Sequence, residues 1–486
     1  MVFACMIFLI TGIAAQEKNI LTLDEYLKII KDKIPELKQG ENDLNIAENR
    51  LKKSYSTFDP VLASSTSYKR YKPYTDSESS EAYYTNGFMT DVYLKSVLPS
   101  GTRIDIGAEY LFSHSQGENT ITSFGMNGMS FSTIEEDINY TASTFDPVVK
   151  ISITQPLLYN WFGFIDRYAV KDAKNNLLIE RLKKEENENT IDAYYKKLYF
   201  AWAVNIFVYD LLENTIDNMI KLEKQTKDKL NKGVAEKDEY ERVRYSVLQY
   251  NEQIKNTQYN INVIKKELSL FFDTDKYIPD MNTFDVFYNN INPEDIKYTD
   301  FYSTRTSRIL NLNKKSLEDY KKLQISSILP RLDIFGNLDI RFHSYEKNTD
   351  DTSEAESYHG EIDLVVGLQF SYPLGSIKSR GELKEAELMI KDIVYQLEIT
   401  KNNYEKTVNK YAEYSKNLNE ILDLKSEGLK SLDSIYRLEK IKYNQGRIEL
   451  RNLLETENDI FNHKINIIQT KLNLINLYFD YKLLVE

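Results

Sequence analysis

Hydrophobic positions along this chain follow two periods, that of a helix and that of a strand. Phe461, Ile465, Ile468, Leu472, Ile475 and Phe479 step by alternating fours and threes, the seam of a coiled coil. Ile460, Ile467, Leu474 and Tyr481 step by sevens and make a second seam beside it. One seam serves a two-stranded coil. Two seams call for a helix flanked on both sides, as in a wide bundle or a ring of helices. From Arg380 to the C-terminus there is no proline, and the glycines are Gly381, Gly428 and Gly446. The stretch predicts a helix of about 60 residues up to Tyr443 and one of about 40 residues from Arg447, roughly 90 and 60 Å long at 1.5 Å per residue. Asn444-Gln445-Gly446 is the turn between them, with glycine where a helix ends in a left-handed cap.

This hairpin pattern occurs twice. Residues 164–232 contain neither Gly nor Pro, Asn231-Lys232-Gly233 follows, and a second such run reaches Ile278. Asn231, Gly233 and Glu236 match Asn444, Gly446 and Glu449 at one constant offset, as do Arg167, Lys171 and Ala173 with Arg380, Lys384 and Ala386. Gln155-Pro156-Leu157 parallels Tyr372-Pro373-Leu374 upstream. The pattern predicts an internal duplication.

The period of two lies between and before the hairpins. Leu332, Ile334, Gly336, Leu338, Ile340 and Phe342 alternate with Arg331, Asp333, Asn337, Asp339 and Arg341. Ile362, Leu364, Val366, Leu368 and Phe370 alternate with Glu361, Asp363 and Gln369. Ile104, Ile106, Ala108, Tyr110 and Phe112 alternate with Arg103, Asp105, Gly107 and Glu109, and Pro99-Ser100-Gly101 before them signals a hairpin joining 90–98 to 102–112. Residues 60–72 and 147–157 read as further strands. Residues 73–87, 113–144 and about 343–360, rich in Ser, Thr, Asn, Glu and Gly, read as exposed loops. Strict alternation gives one apolar and one wet face. In a soluble sandwich the apolar face points inward; in a membrane barrel it faces lipid over about 9–11 residues.

At the N-terminus, Val2–Ala15 is an apolar run too short to span a bilayer and reads as the hydrophobic part of a signal peptide, with Cys5, the one cysteine, inside it. Leu21-Thr22-Leu23-Asp24-Glu25 starts a helix through a capping box of Thr22 and Glu25. A second helix, about 36–57, stops before Asp59-Pro60. The expected segments are a signal peptide (1–15), N-terminal helices (16–59), a first β segment (60–158) and a first long hairpin (159–277). A connector (278–329), a second β segment (330–374) and a second long hairpin (375–486) follow.

Of 486 residues, 62 are basic and 74 acidic, a net charge of −12, which argues against a nucleic-acid partner. The four histidines are scattered with no HxxxH or HExxH pair, and no phosphate-binding loop or nucleophile motif stands out. No metal, cofactor or enzyme activity is expected. One reading left open is a soluble or surface-anchored coiled-coil interaction protein with a separate β-sandwich.

The leading Leu-x-Leu helix, the strand entry at Pro60, Gln155-Pro156-Leu157-Leu158 before a long helix, and two Asn-x-Gly hairpin tips in duplicated order resemble the TolC-type outer-membrane efflux proteins. The resemblance covers essentially the whole chain after the signal-like run. It implies a mixed α and β membrane protein of a diderm bacterium. Three copies would form a twelve-stranded β-barrel in outer-membrane lipid, four strands each (about 60–74, 145–158, 330–345 and 360–373), continuous with a periplasmic α-helical barrel. The hairpin at 88–113 is extra to that pattern. The implied function is a passive exit duct for an inner-membrane pump, joined to it by a periplasmic adaptor, in efflux or type I secretion.

The resemblance also implies site residues. Family members resembling this one carry acidic, pore-facing residues six and nine positions after the tip glycine; here these are Asn452 and Glu455. In the first tip the equivalents are Glu239 and Arg242. The adaptor-contacting tips would be Asn231, Gly233, Val234 and Ala235, with Asn444, Gly446, Arg447 and Ile448. Tyr159 and Trp161, just after a strand, are candidates for a membrane interface.

Overall fold

The structure is a computed structural model that describes residues 19–72, 80–127, 130–349, 353–372 and 374–486. The expected signal peptide (1–15) and Cys5 lie outside the described residues. The chain forms two compact units. One holds the residues up to Leu44, Ile179–Asn311 and Tyr395–Glu486; the other holds Asn45–Leu178 and Leu312–Val394.

The first unit is helical. Its N-terminal strand β1 (Asn19–Leu21) leads into helix α1 (Leu23–Lys31) through the expected capping box, both halves of which form. Pro35 opens α2 (Pro35–Ser54), where a missing N–H costs nothing. The long helices are α3 (Phe164–Asn231) with α4 (Lys237–Leu268), and α7 (Ile377–Asn444) with α8 (Leu450–Val485). Strand β6 (Tyr277–Pro279), α5 (Met281–Asn289) and α6 (Arg305–Ile328) lie between the two hairpins in sequence.

Strand β1 pairs in parallel with β6. Tyr199 of α3 fastens this pair: its hydroxyl donates to the Leu21 carbonyl at 2.7 Å and accepts from the Asp280 N–H at 3.0 Å. Around it Tyr26, Phe200, Trp202, Phe284 and Phe301 are fully buried. The two seams of α8 are both used within one chain. Ile468, Leu472, Ile475 and Phe479 of the first seam and Leu474 and Tyr481 of the second share a core with Tyr404, Val408 and Leu418 of α7 and with Phe200 of α3. Nearer its start, Leu453, Leu454 and Phe461 pack with Leu212, Ile216 and Met219 of α3 and with Val243 and Tyr250 of α4. Helix α8 is therefore flanked by α7 and by the other hairpin, as two seams require.

The second unit contains one antiparallel sheet of six strands in the order β2-β3-β4-β5-β7-β8. They are β2 (Val61–Tyr71), β3 (Ser80–Val97), β4 (Arg103–Asn127), β5 (Ser130–Pro156), β7 (Arg331–Thr349) and β8 (Ser353–Ser371). This corrects the four-strand expectation, because β3 and β4 stand in the sheet between the first two expected strands. The loop readings of 73–87, 113–144 and 343–360 are corrected where described. Strand β4 pairs with β5 from Arg103↔Thr154 to Asn127↔Ser130, and β7 and β8 continue to Thr349 and from Ser353. Backbone hydrogen bonds can sustain a hairpin without regular apolar alternation in its sequence, so the length of such a hairpin is not readable from periodicity.

Candidate functional site

The register of the sheet aligns its side chains into rows, and the rows sort by chemistry. Leu62, Leu94, Ile106, Ile151, Leu338 and Leu364 are successive partners across all six strands. The next row on the same face is Ser64, Val92, Ala108, Val149, Ile340 and Ile362. In the other direction Ser96, Ile104, Ile153, Gly336 and Val366 align. Beyond the aliphatic rows, Tyr68, Phe88, Phe112 and Phe145 are partners in one aromatic row, with Tyr110 and Phe342 beside it. Much of this face is open: on the edge strands Leu62 is 72% exposed, Leu364 70% and Phe370 66%, and on the inner strands Leu94, Ile106 and Ile153 are exposed while Ile151, Leu338 and Ile340 are half-buried.

The opposite face is charged. Asp91, Asp105, Glu109, Asp146, Asp339, Glu361 and Asp363 share it with Lys95, Lys150, Arg341 and His343, an excess of acid. Neighbouring strands are tied across this face. Lys150 pairs with Glu109 and His343 with Asp146. The Arg341 guanidinium lies 3.6 Å from both Asp339 and Asp363. Ser152 donates to Asn337 at 2.7 Å.

The end of the sheet opposite the Tyr68 row is built tightly. Gln155 accepts from the Thr102 hydroxyl at 2.5 Å and donates to the Ser100 carbonyl at 3.3 Å, so the motif before Pro156 holds the β3–β4 turn. Gly163 has φ +70°, and a Cβ there would fall 2.3 Å from the Pro99 carbonyl oxygen. Two consecutive residues with positive φ lead into the first helix of each hairpin: Phe162-Gly163 before α3 and Gly375-Ser376 before α7. Trp161 and Phe162 are exposed and meet edge-on at 5.0 Å, and Arg331 stacks 4.5 Å over Tyr159.

The helical tips repeat one geometry. The Val234 N–H bonds the Lys229 carbonyl and the Arg447 N–H bonds the Lys442 carbonyl, each at 2.9 Å. Gly233 and Gly446 have φ +70° and +66°. These are Schellman caps, in which a residue without Cβ takes the left-handed conformation. Asn231, Gly233, Val234, Asn444, Gly446 and Arg447 are exposed; Ala235 and Ile448 are half-buried. Glu455 is exposed and held by Arg451 at 2.7 Å, one turn back on α8; Asn452 is exposed beside it. Arg242 is exposed and 3.8 Å from Asp238; Glu239 is half-buried.

Two features at this end were not singled out from the sequence. Lys229 of α3 donates to the Tyr443 hydroxyl of α7 at 3.3 Å and sits over that ring, linking the hairpins near their tips. Glu457 is half-buried on α8, and burial raises its carboxyl pKa from the ordinary 4.5, opposed by Lys440. Neither has a sequence signal, because both depend on which helix lies alongside. Among the described residues no cluster of His, Cys, Asp and Glu is arranged to hold a metal ion, and no helix is long and apolar enough to cross a membrane.

No protein-family model matches the chain, and no curated protein matches it by sequence. Solved structures match over nearly its whole length. The outer membrane protein VceC of Vibrio cholerae is 11% identical, with a TM-score of 0.59, over 95% of this chain and 96% of that one. The CmeC outer membrane channel of Campylobacter jejuni is 14% identical, with a TM-score of 0.59, over 95% and 85%. The open-state MtrE outer membrane channel of Neisseria gonorrhoeae is 11% identical, with a TM-score of 0.58, over 95% and 88%. The chain has the fold of the TolC-type outer-membrane channels that its sequence resembles.

Proposed function

We propose that this protein is an outer-membrane channel, the exit duct of a tripartite efflux or type I secretion assembly. The observation that carries this reading is the sheet with one exposed apolar face, bounded by aromatic residues, and one charged face. Lipid accepts the first and a water-filled lumen the second. In the soluble coiled-coil alternative the apolar face would pack inside a sandwich, which the exposure of Leu62, Leu364 and Phe370 disfavours. The sheet leaves β2 and β8 with unpaired edges. Unpaired backbone groups are costly in hydrocarbon, so copies close into a ring, a homotrimer by the family resemblance.

In this reading the duct carries out no chemistry. An inner-membrane pump supplies energy, and a periplasmic adaptor docks on the tips at Asn231–Ala235 and Asn444–Ile448. Repeated helix and tip geometry at one offset supports descent from a duplicated half. Glu455 and Asn452, with Glu239 and Arg242, line the periplasmic aperture, where a ring of Glu455 carboxylates favours cations. Fractionation tests the assignment. The protein should float with outer-membrane vesicles, require detergent for extraction, and run as an oligomer until heated. A buffer-soluble monomer would contradict it.

A further inference from the structure

The hairpin β3–β4 is the part of the sheet that the family pattern does not supply. We propose that it is a full part of the membrane wall, so that each copy gives six strands to a ring in which β2 of one copy pairs with β8 of the next. This rests on the channel reading above.

Three observations carry it. First, β3 and β4 sit inside the sheet, hydrogen-bonded on both sides, rather than lying over one edge. Second, the apolar band runs through them at the same level. Leu94 and Ile106 fill the row between Leu62 and Ile151, Val92 and Ala108 the next row, and Phe88 and Phe112 the aromatic row. On β7 the band extends from Leu332 to Phe342. At about 3.3 Å per residue and a tilt near 45° that is roughly 25 Å, the height of the apolar belt of an outer-membrane barrel. Lys95, Asp105 and Glu109 meanwhile continue the charged face across the hairpin. Third, the turn at the hairpin's near end is locked through Thr102, Gln155 and the Gly101–Gly163 approach, so the hairpin is fixed in this position.

The second copy follows from parity. With six antiparallel strands β2 and β8 run in opposite directions, so β8 of one copy continues the antiparallel pattern onto β2 of another. A hairpin adds two strands and preserves that parity. The strand number of the ring is therefore a multiple of six, eighteen for three copies, within the range in which barrels leave an aqueous channel rather than a filled interior.

Spin-label accessibility tests this in full-length protein, with Cys5→Ala, reconstituted in phosphatidylcholine–phosphatidylglycerol vesicles. Single cysteines replace Leu94 and Lys95 on β3, Asp105 and Ile106 on β4, and Leu338 and Asp339 on β7. Labels at 94, 106 and 338 should collide several-fold more with oxygen relative to a water-soluble nickel chelate than labels at 95, 105 and 339. Cysteines at Asp91, Glu109 and Arg341, which align in another row of the charged face, replace a charged-face variant that fails to fold. Alternation on β7 without alternation on β3 and β4 would overturn the six-strand wall and leave the channel reading intact. Loss of alternation on β7 as well would overturn both.

Discussion

Single residues fix the corners of this molecule, and several were legible in the sequence. Thr22 and Glu25 form the predicted capping box because both partners lie within one turn. Gly233 and Gly446 take the left-handed conformation that the Asn-x-Gly pattern signals. A Cβ at either position meets nothing within 4 Å, so Gly233→Ala and Gly446→Ala carry only the backbone cost, about 1–2 kcal/mol each. That loss should appear as faster amide exchange at the tips with the rest of the bundle unchanged. Tyr199 was not legible, because its partners lie in β1 and in the residue after β6. Tyr199→Phe leaves the Leu21 carbonyl and Asp280 N–H to each other, which bond at 3.1 Å, and should cost about 1–2 kcal/mol in denaturant unfolding. Glu457 yields a pH prediction. Its folded pKa is raised, so the native bundle favours the protonated carboxyl. The stability this confers is full below 4.5 and is lost as pH rises through the raised value. Glu457→Gln should therefore melt higher than wild type at pH 7 and no higher at pH 4. Equal melting at pH 7 would refute the assigned cause.

At the scale of elements, helices were easier to read than strands. Runs without Gly or Pro set α3 and α7, and the two seams of α8 announced that it is flanked on both sides. Strand centres were visible wherever one face is apolar, as in β7 and β8. Strand ends were not, because β4 and β5 extend past the aromatic rows into Ser-, Thr- and Glu-rich sequence that carries no regular apolar alternation. Nor did the sequence say that β3 and β4 join the same sheet, since alternation reveals a face and not a neighbour. The apolar band makes a prediction at this scale. If the apolar face meets lipid as proposed, Leu94→Lys places a charge in the middle of it and should cost about 2–4 kcal/mol in detergent-to-bilayer folding. Lys95→Ala, one residue along on the wet face, should cost well under half as much. Similar costs for both would contradict the assignment of faces.

For the whole molecule, the sheet is the proposed membrane wall, and the long hairpins end in exposed turns. Near the second tip Glu455 is exposed on α8 and pairs with Arg451 one turn back, an exposure that the proposed aperture requires. The pore-facing role of Glu455 was drawn from its spacing after Gly446, and its exposure and pairing with Arg451 leave that role intact as a proposal. The most direct measurement of the duct is single-channel conductance of the purified, full-length protein in a planar bilayer, wild type beside Glu455→Ala. A duct lined at its aperture by Glu455 should show cation-selective openings whose selectivity falls in Glu455→Ala. Openings unaffected by that change would remove Glu455 from the aperture, and a well-folded protein that neither inserts nor conducts would contradict the channel itself.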